Sequence, residues 1–215
     1  MASWQHVHGR PDLILAIDSA SAACTAALLT LDGEVFAQRH EDIGRGHAER
    51  LMPMIADLIG QHRPTQILVG VGPGSFTGLR VAIAAAHGMA IGWSVPLCGF
   101  DSLALVAACA PGAGPVGVAM LGGHGEWFVA QYGRPGYASL GPVASRTPDD
   151  AARIITAPLV VGSAAAALVE RRGHGEALLI LPHAARALDL PLALRSLDAR
   201  PVYARAPDAR PTVAA

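Results

Sequence analysis

Leu13 to Leu29 reads LILAIDSASAACTAALL, and this stretch decides the fold. Leu13-Ile14-Leu15-Ala16-Ile17 is an unbroken apolar run that ends at Asp18. A short run of this kind reads as a strand buried on both faces. Ala26 to Leu31 follows as a second strand, Asp32-Gly33 is a tight-turn signal, and Glu34 to Gln38 returns as a third. The chain therefore opens with an antiparallel meander whose first strand carries an acid at its end.

Working outward, the pattern from His47 to about Gln61 is helical, with Pro64 beyond it as a stop. Ile67 to Val69 is another apolar strand run. Gly72-Pro73-Gly74-Ser75-Phe76-Thr77-Gly78 is a glycine-rich turn leading into a helix over 79–93. A short strand over 96–98 and a helix over 102–110 complete the first unit. Three strands, then helix, strand, helix, strand, helix is the order of an RNase H-like lobe. That lobe is the building block of the actin, sugar kinase and Hsp70 group, the ASKHA fold. The predicted class is α/β, with two RNase H-like lobes, mixed sheets and a reduced second lobe. Residues 1–12 read as a ragged extension, 13–110 as the first lobe and 111–215 as the second lobe and tail. Pro111-Gly112-Ala113-Gly114-Pro115 reads as the hinge. Strands are expected over 116–121, 127–132 and 159–161, then an Ala-rich helix to about Arg171. A strand over 177–181 and a helix over 182–190 are weaker signals.

Composition excludes several functions. The 215 residues contain 16 Lys+Arg, and every one is Arg. Without Lys there is no P-loop, no Schiff-base or pyridoxal chemistry and no kinase β3 lysine. A formal net charge of -1 argues against a chain that wraps nucleic acid by itself. Only 15% of residues are charged, against roughly 25% in an average soluble domain. Two long uncharged stretches, 81–100 and 102–125, have membrane-span length. Glycines and prolines break both, which predicts globular core and no membrane. Cys24, Cys98 and Cys109 lie far apart without a CxxC, as buried thiols do in a reducing cytoplasm. The histidines lack HExxH spacing, so no metal is expected.

Asp18, with the small residues after it, occupies the place where ATP-hydrolysing members of this fold class hold a hydrated metal. It reads equally as a turn acid accepting backbone N–H groups. In the string Gly72 to Arg80, glycines permit close backbone approach. Ser75 or Thr77 is the candidate N-cap, and Arg80 lies one turn in. Asp18, Gly74, Ser75, Thr77 and Arg80 are the candidate anion or nucleotide contacts. Two helices carry more apolar surface than one sheet needs. Helix 47–61 has Leu51 and Ile55 on one side and Met52 and Ile59 on another. Helix 79–93 repeats Ala84, Gly88 and Gly92 at i, i+4 and i+8, a flat stripe on which another helix can lie. These seven residues are the candidate partner interface.

Together the strings resemble the bacterial TsaB (YeaZ) family. LILAIDSASAACTAALL, RGHAERLMPMIADLI, GVGPGSFTGLRVAIAAAHGMA and PLCGFDSLALVA follow its pattern in order and spacing. The likeness is weaker over VVGSAAAAL (Val160 to Leu168) and returns in PVYARAPDA (Pro201 to Ala209). The resemblance implies a degenerate, non-catalytic relative of the catalytic subunit TsaD. It implies work in forming threonylcarbamoyladenosine at position 37 of tRNAs that read codons beginning with A. It further implies that TsaD docks on the first-lobe helices, that the ATPase TsaE joins, that tRNA is met through the complex, and that the chain alone can pair with itself through the same surface. No cofactor is implied, weak nucleotide binding at the partner interface apart. Val71 departs from the Arg many members carry before GPGSFTG. Gly122-Gly123-His124 departs from an Asp-Ala-Arg-like string, and no acid occurs over 102–125. The rival readings are an ATPase or small-molecule kinase using Asp18 and the Gly72–Gly78 turn, and a peptidase built on Ser75.

Overall fold

A computed structural model of the chain describes residues 12–204. β1 (Leu13–Asp18) is buried along its whole length. It lies between β2 (Ala23–Thr30), antiparallel, and β4 (Gln66–Gly70), parallel. With β3 (Val35–Asp42) and β5 (Leu97–Phe100), the sheet order is β3-β2-β1-β4-β5. The unbroken apolar run is explained by cover on both faces. Leu13, Leu15 and Ile17 pack with Leu51, Met54, Ile55 and Leu58 of α1 (His47–Ile59) and with Ile83 and Met89 of α2 (Phe76–Trp93). Ile14 and Ala16 face the other way, onto α3 (Ser102–Ala108).

The second sheet has the order β11-β10-β6-β7-β8. Its strands are β6 (Val116–Leu121), β7 (Trp127–Gly133), β8 (Ala138–Ser139), β10 (Leu159–Val161) and β11 (Glu176–Leu178). β9 (Ala144–Arg146) adds to β7. α4 (Pro148–Ile154) and α5 (Ala165–Arg172) cover one face through Ala151 and Leu168. α3 serves the other face. Every residue of α3 is buried, because this short helix is sandwiched between the sheets. Leu103 to Ala108 join Ile14, Leu29 and Leu68 of the first sheet to Val116, Val118 and Tyr132 of the second. That position accounts for the charge-free stretch. Among the described residues no helix is long and apolar enough to cross a membrane.

Two expectations change. The segment 111–115 is not a free hinge, because Arg134 clamps it. The Arg134 guanidinium donates to the carbonyls of Ala110 at 2.7 Å, Pro111 at 2.8 Å and Gly114 at 2.9 Å. Truncating Arg134 to alanine is expected to cost about 2 kcal/mol, read as a lower denaturant midpoint. Nor do residues 111–204 stay with the second sheet. A 3-10 helix (Ala184–Asp189) returns to the first lobe, where Ala184 N donates to Thr25 Oγ1 at 3.1 Å. After α6 (Leu192–Arg195), Leu197 pairs with Gly99, and Val202 N donates to the carbonyl of Val71 at 2.8 Å. The expected 182–190 helix is thus a 3-10 turn, and α4 and α6 had no expectation. Residues 1–11 of the expected extension lie outside the described residues.

Candidate functional site: the inter-lobe cleft and the α1–α2 face

The glycine-rich turn is filled by the chain itself. A Cβ on Gly78 would sit 1.9 Å from the carbonyl oxygen of Ser19, and one on Gly74 would sit 2.2 Å from that of Ala20. Both glycines exist so that the β1–β2 turn can lie against the start of α2. Ser75 N donates to Ala20 O at 2.7 Å, and Ser19 Oγ donates to Gly78 O at 2.8 Å. Ser75 caps α2, its hydroxyl accepting from Gly78 N at 3.3 Å. The helix therefore starts at Phe76, three residues before the expected position, and Thr77 is not the cap.

Asp18 ends β1, as expected, but its carboxylate is turned into the protein. It is fully buried and does not line the cleft. One carboxylate oxygen accepts from Ala20 N at 2.9 Å and the other from Ser102 Oγ at 2.6 Å; Ser102 Oγ in turn accepts from Gly72 N at 3.1 Å. Asp18 is a knot between β1, the glycine turn and α3. Ser102 was missed from sequence, since nothing local ties it to a residue 84 positions earlier. Asp101, next to it, caps α3 through Leu103 N and Ala104 N and accepts from Tyr132 Oη across the lobes at 3.3 Å.

Burial pushes the Asp18 carboxyl up to about 6, against hydrogen bonds from Ser102 and Ala20 that lower it. Burial raises Asp101 too. A folded value above the unfolded one means that the folded state holds the proton more tightly. The contribution of Asp18 to stability therefore rises as pH falls from 7 toward 4 and is lost as pH climbs through about 6. His183 opposes it: burial lowers its imidazole, so acidification disfavours the fold there. Measured against Asp18→Asn, which cancels His183, the wild type is expected to gain about 1 kcal/mol between pH 7 and pH 5. Equal pH slopes in urea melts of the two proteins would contradict this.

The cleft between the lobes encloses about 920 Å³. The first lobe contributes Ser21, Gly74 to Thr77, Arg80 and Ser102; the second contributes Met120 to His124, Phe128 and Ser163. Val202 and Tyr203 also line it. Among the described residues no carboxylate lines it. Gly122, Gly123 and His124 stand on this wall. Arg80 lies 3.7 Å above the centre of the Phe76 ring, and its Nε donates to Tyr203 Oη at 3.0 Å. Phe76 and Tyr203 escaped sequence reasoning. Tyr203 comes from 123 residues downstream of Arg80, and only the likeness in Pro201 to Ala209 hinted that this segment matters.

The candidate interface residues divide. Leu51 and Ile55 are core, at 0% and 1% exposure, so they cover the sheet and present no surface. Ile59 is half-buried. Met52 is exposed, as are Ala84, Gly88 and Gly92. Ile91, not singled out from sequence, is 78% exposed. A Cβ added to Gly88 or Gly92 would meet nothing within 4 Å. The packing of the chain gives no reason for glycine there, although each costs a helix about 1 kcal/mol relative to alanine. Burial pushes the Cys24 and Cys109 thiols up to about 11, so neither is a nucleophile at neutral pH. Among the described residues no three His, Cys, Asp or Glu side chains are grouped to hold a metal.

The sequence matches the family described as TsaD, tRNA N6-adenosine threonylcarbamoyltransferase, over residues 34–187. It is 38% identical over 129 residues to the tRNA threonylcarbamoyladenosine biosynthesis protein TsaB of Escherichia coli, covering 56% of this chain and 55% of that protein. The fold superposes on YeaZ from Pseudomonas aeruginosa with a TM-score of 0.74 and 29% identity, over 89% of this chain and 99% of that one. The chain belongs to the TsaB/YeaZ family. It spans about half the length of the curated relatives it matches. EutJ from Carboxydothermus hydrogenoformans shares 14% identity at a TM-score of 0.50 over 86% of this chain and 89% of that one, a likeness of fold alone. Two lobes with mixed sheets make this member of the TsaB/YeaZ family an α/β protein of the ASKHA type.

Proposed function

We propose that the chain is a non-catalytic scaffold subunit in the formation of N6-threonylcarbamoyladenosine at position 37 of tRNAs reading A-starting codons. It acts by binding a TsaD-type catalytic subunit through the exposed side of α1 and α2. The family supports the pathway. The observation that carries the non-catalytic part is the carboxylate-free cleft, with Asp18 turned away to Ser102. ATP chemistry needs carboxylates to hold the metal that accompanies the phosphates. The shared core through α3 and the Arg134 clamp also oppose the lobe closure that sugar kinases use.

The partner part rests on Met52, Ala84, Gly88, Ile91 and Gly92, an exposed apolar and small-residue surface of the kind that close helix packing uses. In this reading the chain works in the cytoplasm with TsaD and TsaE and meets tRNA through them. Without its partner it pairs with a second copy through the same helices. Mixing it with a TsaD-type subunit on a sizing column tests the contact: one joint peak is expected, and separate elution at micromolar concentration would overturn it. Magnesium-dependent ATP turnover by the chain alone, abolished in Asp18→Ala without loss of fold, would favour the kinase reading instead.

A further inference from the structure

The histidine that begins the 3-10 helix belongs neither to the cleft nor to the α1–α2 face. His183 caps that helix, its Nδ1 accepting from Ala185 N at 3.4 Å. Its half-buried ring lies flat against the ring of His40 on β3, with centres 4.7 Å apart and planes 9° apart. The next residue, Ala184, is tied to Thr25 of β2 and is buried with Ala187 and Leu190 in the core between the sheets. The residue before, Pro182, lines the inter-lobe cleft, so whatever moves this helix is felt on the cleft wall. We propose that His183 is a pH-sensitive latch: its neutral ring holds the 3-10 helix on the first lobe, and its protonation lets that helix go.

The geometry leaves no place for a second ring proton. A nitrogen that accepts from Ala185 N carries no hydrogen, so the neutral ring holds its proton on Nε2. Protonation puts an N–H on Nδ1, facing the Ala185 N–H, and the cap is lost. The new charge also meets His40, stacked from β3, and Arg186, one turn on along the 3-10 helix. Of the other charged or titratable groups on the packed elements, Arg39 pairs with Asp57, Glu41 with Arg50 and Asp189 with Arg186. Asp18 bonds to Ser102, Asp101 caps α3, and Asp42 stands two positions beyond His40 on β3. Cys109, which meets the His183 backbone, and Tyr137 are neutral, burial raising both. Burial, then His40 and Arg186, hold the His183 imidazole below its ordinary value of 6.5. The released helix therefore binds the proton more tightly than the docked one. Docking is full above about 6.5 and weakens as pH falls below it. The latch needs no second subunit, so it stands or falls apart from the scaffold reading.

Amide hydrogen exchange on the full chain, followed by NMR at pH 7.5 and pH 5 and corrected for the intrinsic pH dependence of exchange, tests the latch. Protection of the Ala184 to Asp189 amides is expected to fall about threefold or more at the lower pH, while the amides of β1 and β2 keep theirs. The fall should level off below the midpoint at which the His183 ring titrates. His183→Asn keeps a cap acceptor and cannot gain a charge, so its protection should be the same at both pH values. His40→Gln, an exposed site on β3, should reduce the fall by removing one of the two facing rings. The wild-type measurements decide without either variant. The proposal is overturned if wild-type protection over 184–189 is unchanged, if β1 and β2 lose protection equally, or if His183→Asn shows the same fall as wild type.

Discussion

Gly78→Ala is expected to destabilise the protein by about 3 kcal/mol or more, although it adds a better helix former to the first turn of α2. Helix propensity predicts a gain of about 1 kcal/mol. Packing predicts the reverse, because the new methyl would lie 1.9 Å from the carbonyl oxygen of Ser19. That oxygen belongs to the backbone of the β1–β2 turn, which Asp18 ties to α3 and Ala20 ties to Ser75. No side chain can rotate away, so the turn must lift from the helix and break the Ser19 Oγ to Gly78 O bond. Gly88→Ala on the same helix is the control: nothing lies within 4 Å of its Cβ, and a gain of about 0.5–1 kcal/mol is expected. Urea melts of the two variants, moving in opposite directions from wild type, separate close approach from propensity. Two variants of equal stability would sink this account of the glycine turn.

Gly88→Leu has the opposite profile: a large effect on association and a small one on the fold. The residue is exposed, and its surroundings are open. A leucine there is accommodated by the isolated chain but stands between α2 and any helix laid along Ala84, Gly88 and Gly92. Under the proposed function, binding to a TsaD-type subunit is expected to weaken by about a hundredfold or more, a loss of roughly 3 kcal/mol from overpacking a close contact. Gly88→Ala should weaken it far less, and Ile91→Asp should act like the leucine. A sizing column or calorimetry reads the result, with the melting temperature as the check on folding. Tight binding by both Gly88→Leu and Ile91→Asp would move the contact elsewhere on the molecule.

The first lobe was legible in the sequence because its signals are local. The Leu13–Ile17 run, the Asp32-Gly33 turn and the glycine turn each fix an element by neighbouring residues alone. Element ends were less so. α2 begins at Phe76 because Ser75, not Thr77, is its cap, and Ser75 N is also held by the carbonyl of Ala20 from the distant β1–β2 turn. The candidate site suffered more, since its geometry is non-local. Leu51 and Met52 are adjacent in sequence, and periodicity marks both as apolar; which one faces the sheet is decided by where α1 sits. Asp18 was identified as special, but its meaning depends on Ser102. Tyr203 reaches Arg80 only because the chain recrosses the first lobe after the 3-10 helix. The resemblance to the TsaB family supplied the expectation of a helix-face partner that no spacing of residues could name.

Under the proposed function, this chain is needed for a reaction it does not itself perform. Formation of N6-threonylcarbamoyladenosine on tRNA, reconstituted from TsaD-type and TsaE-type subunits with and without the chain, tests it most directly. Modification is expected only when the chain is present, to persist with Asp18→Asn, and to fall to background with Gly88→Leu. Equal modification in the absence of the chain would contradict the account.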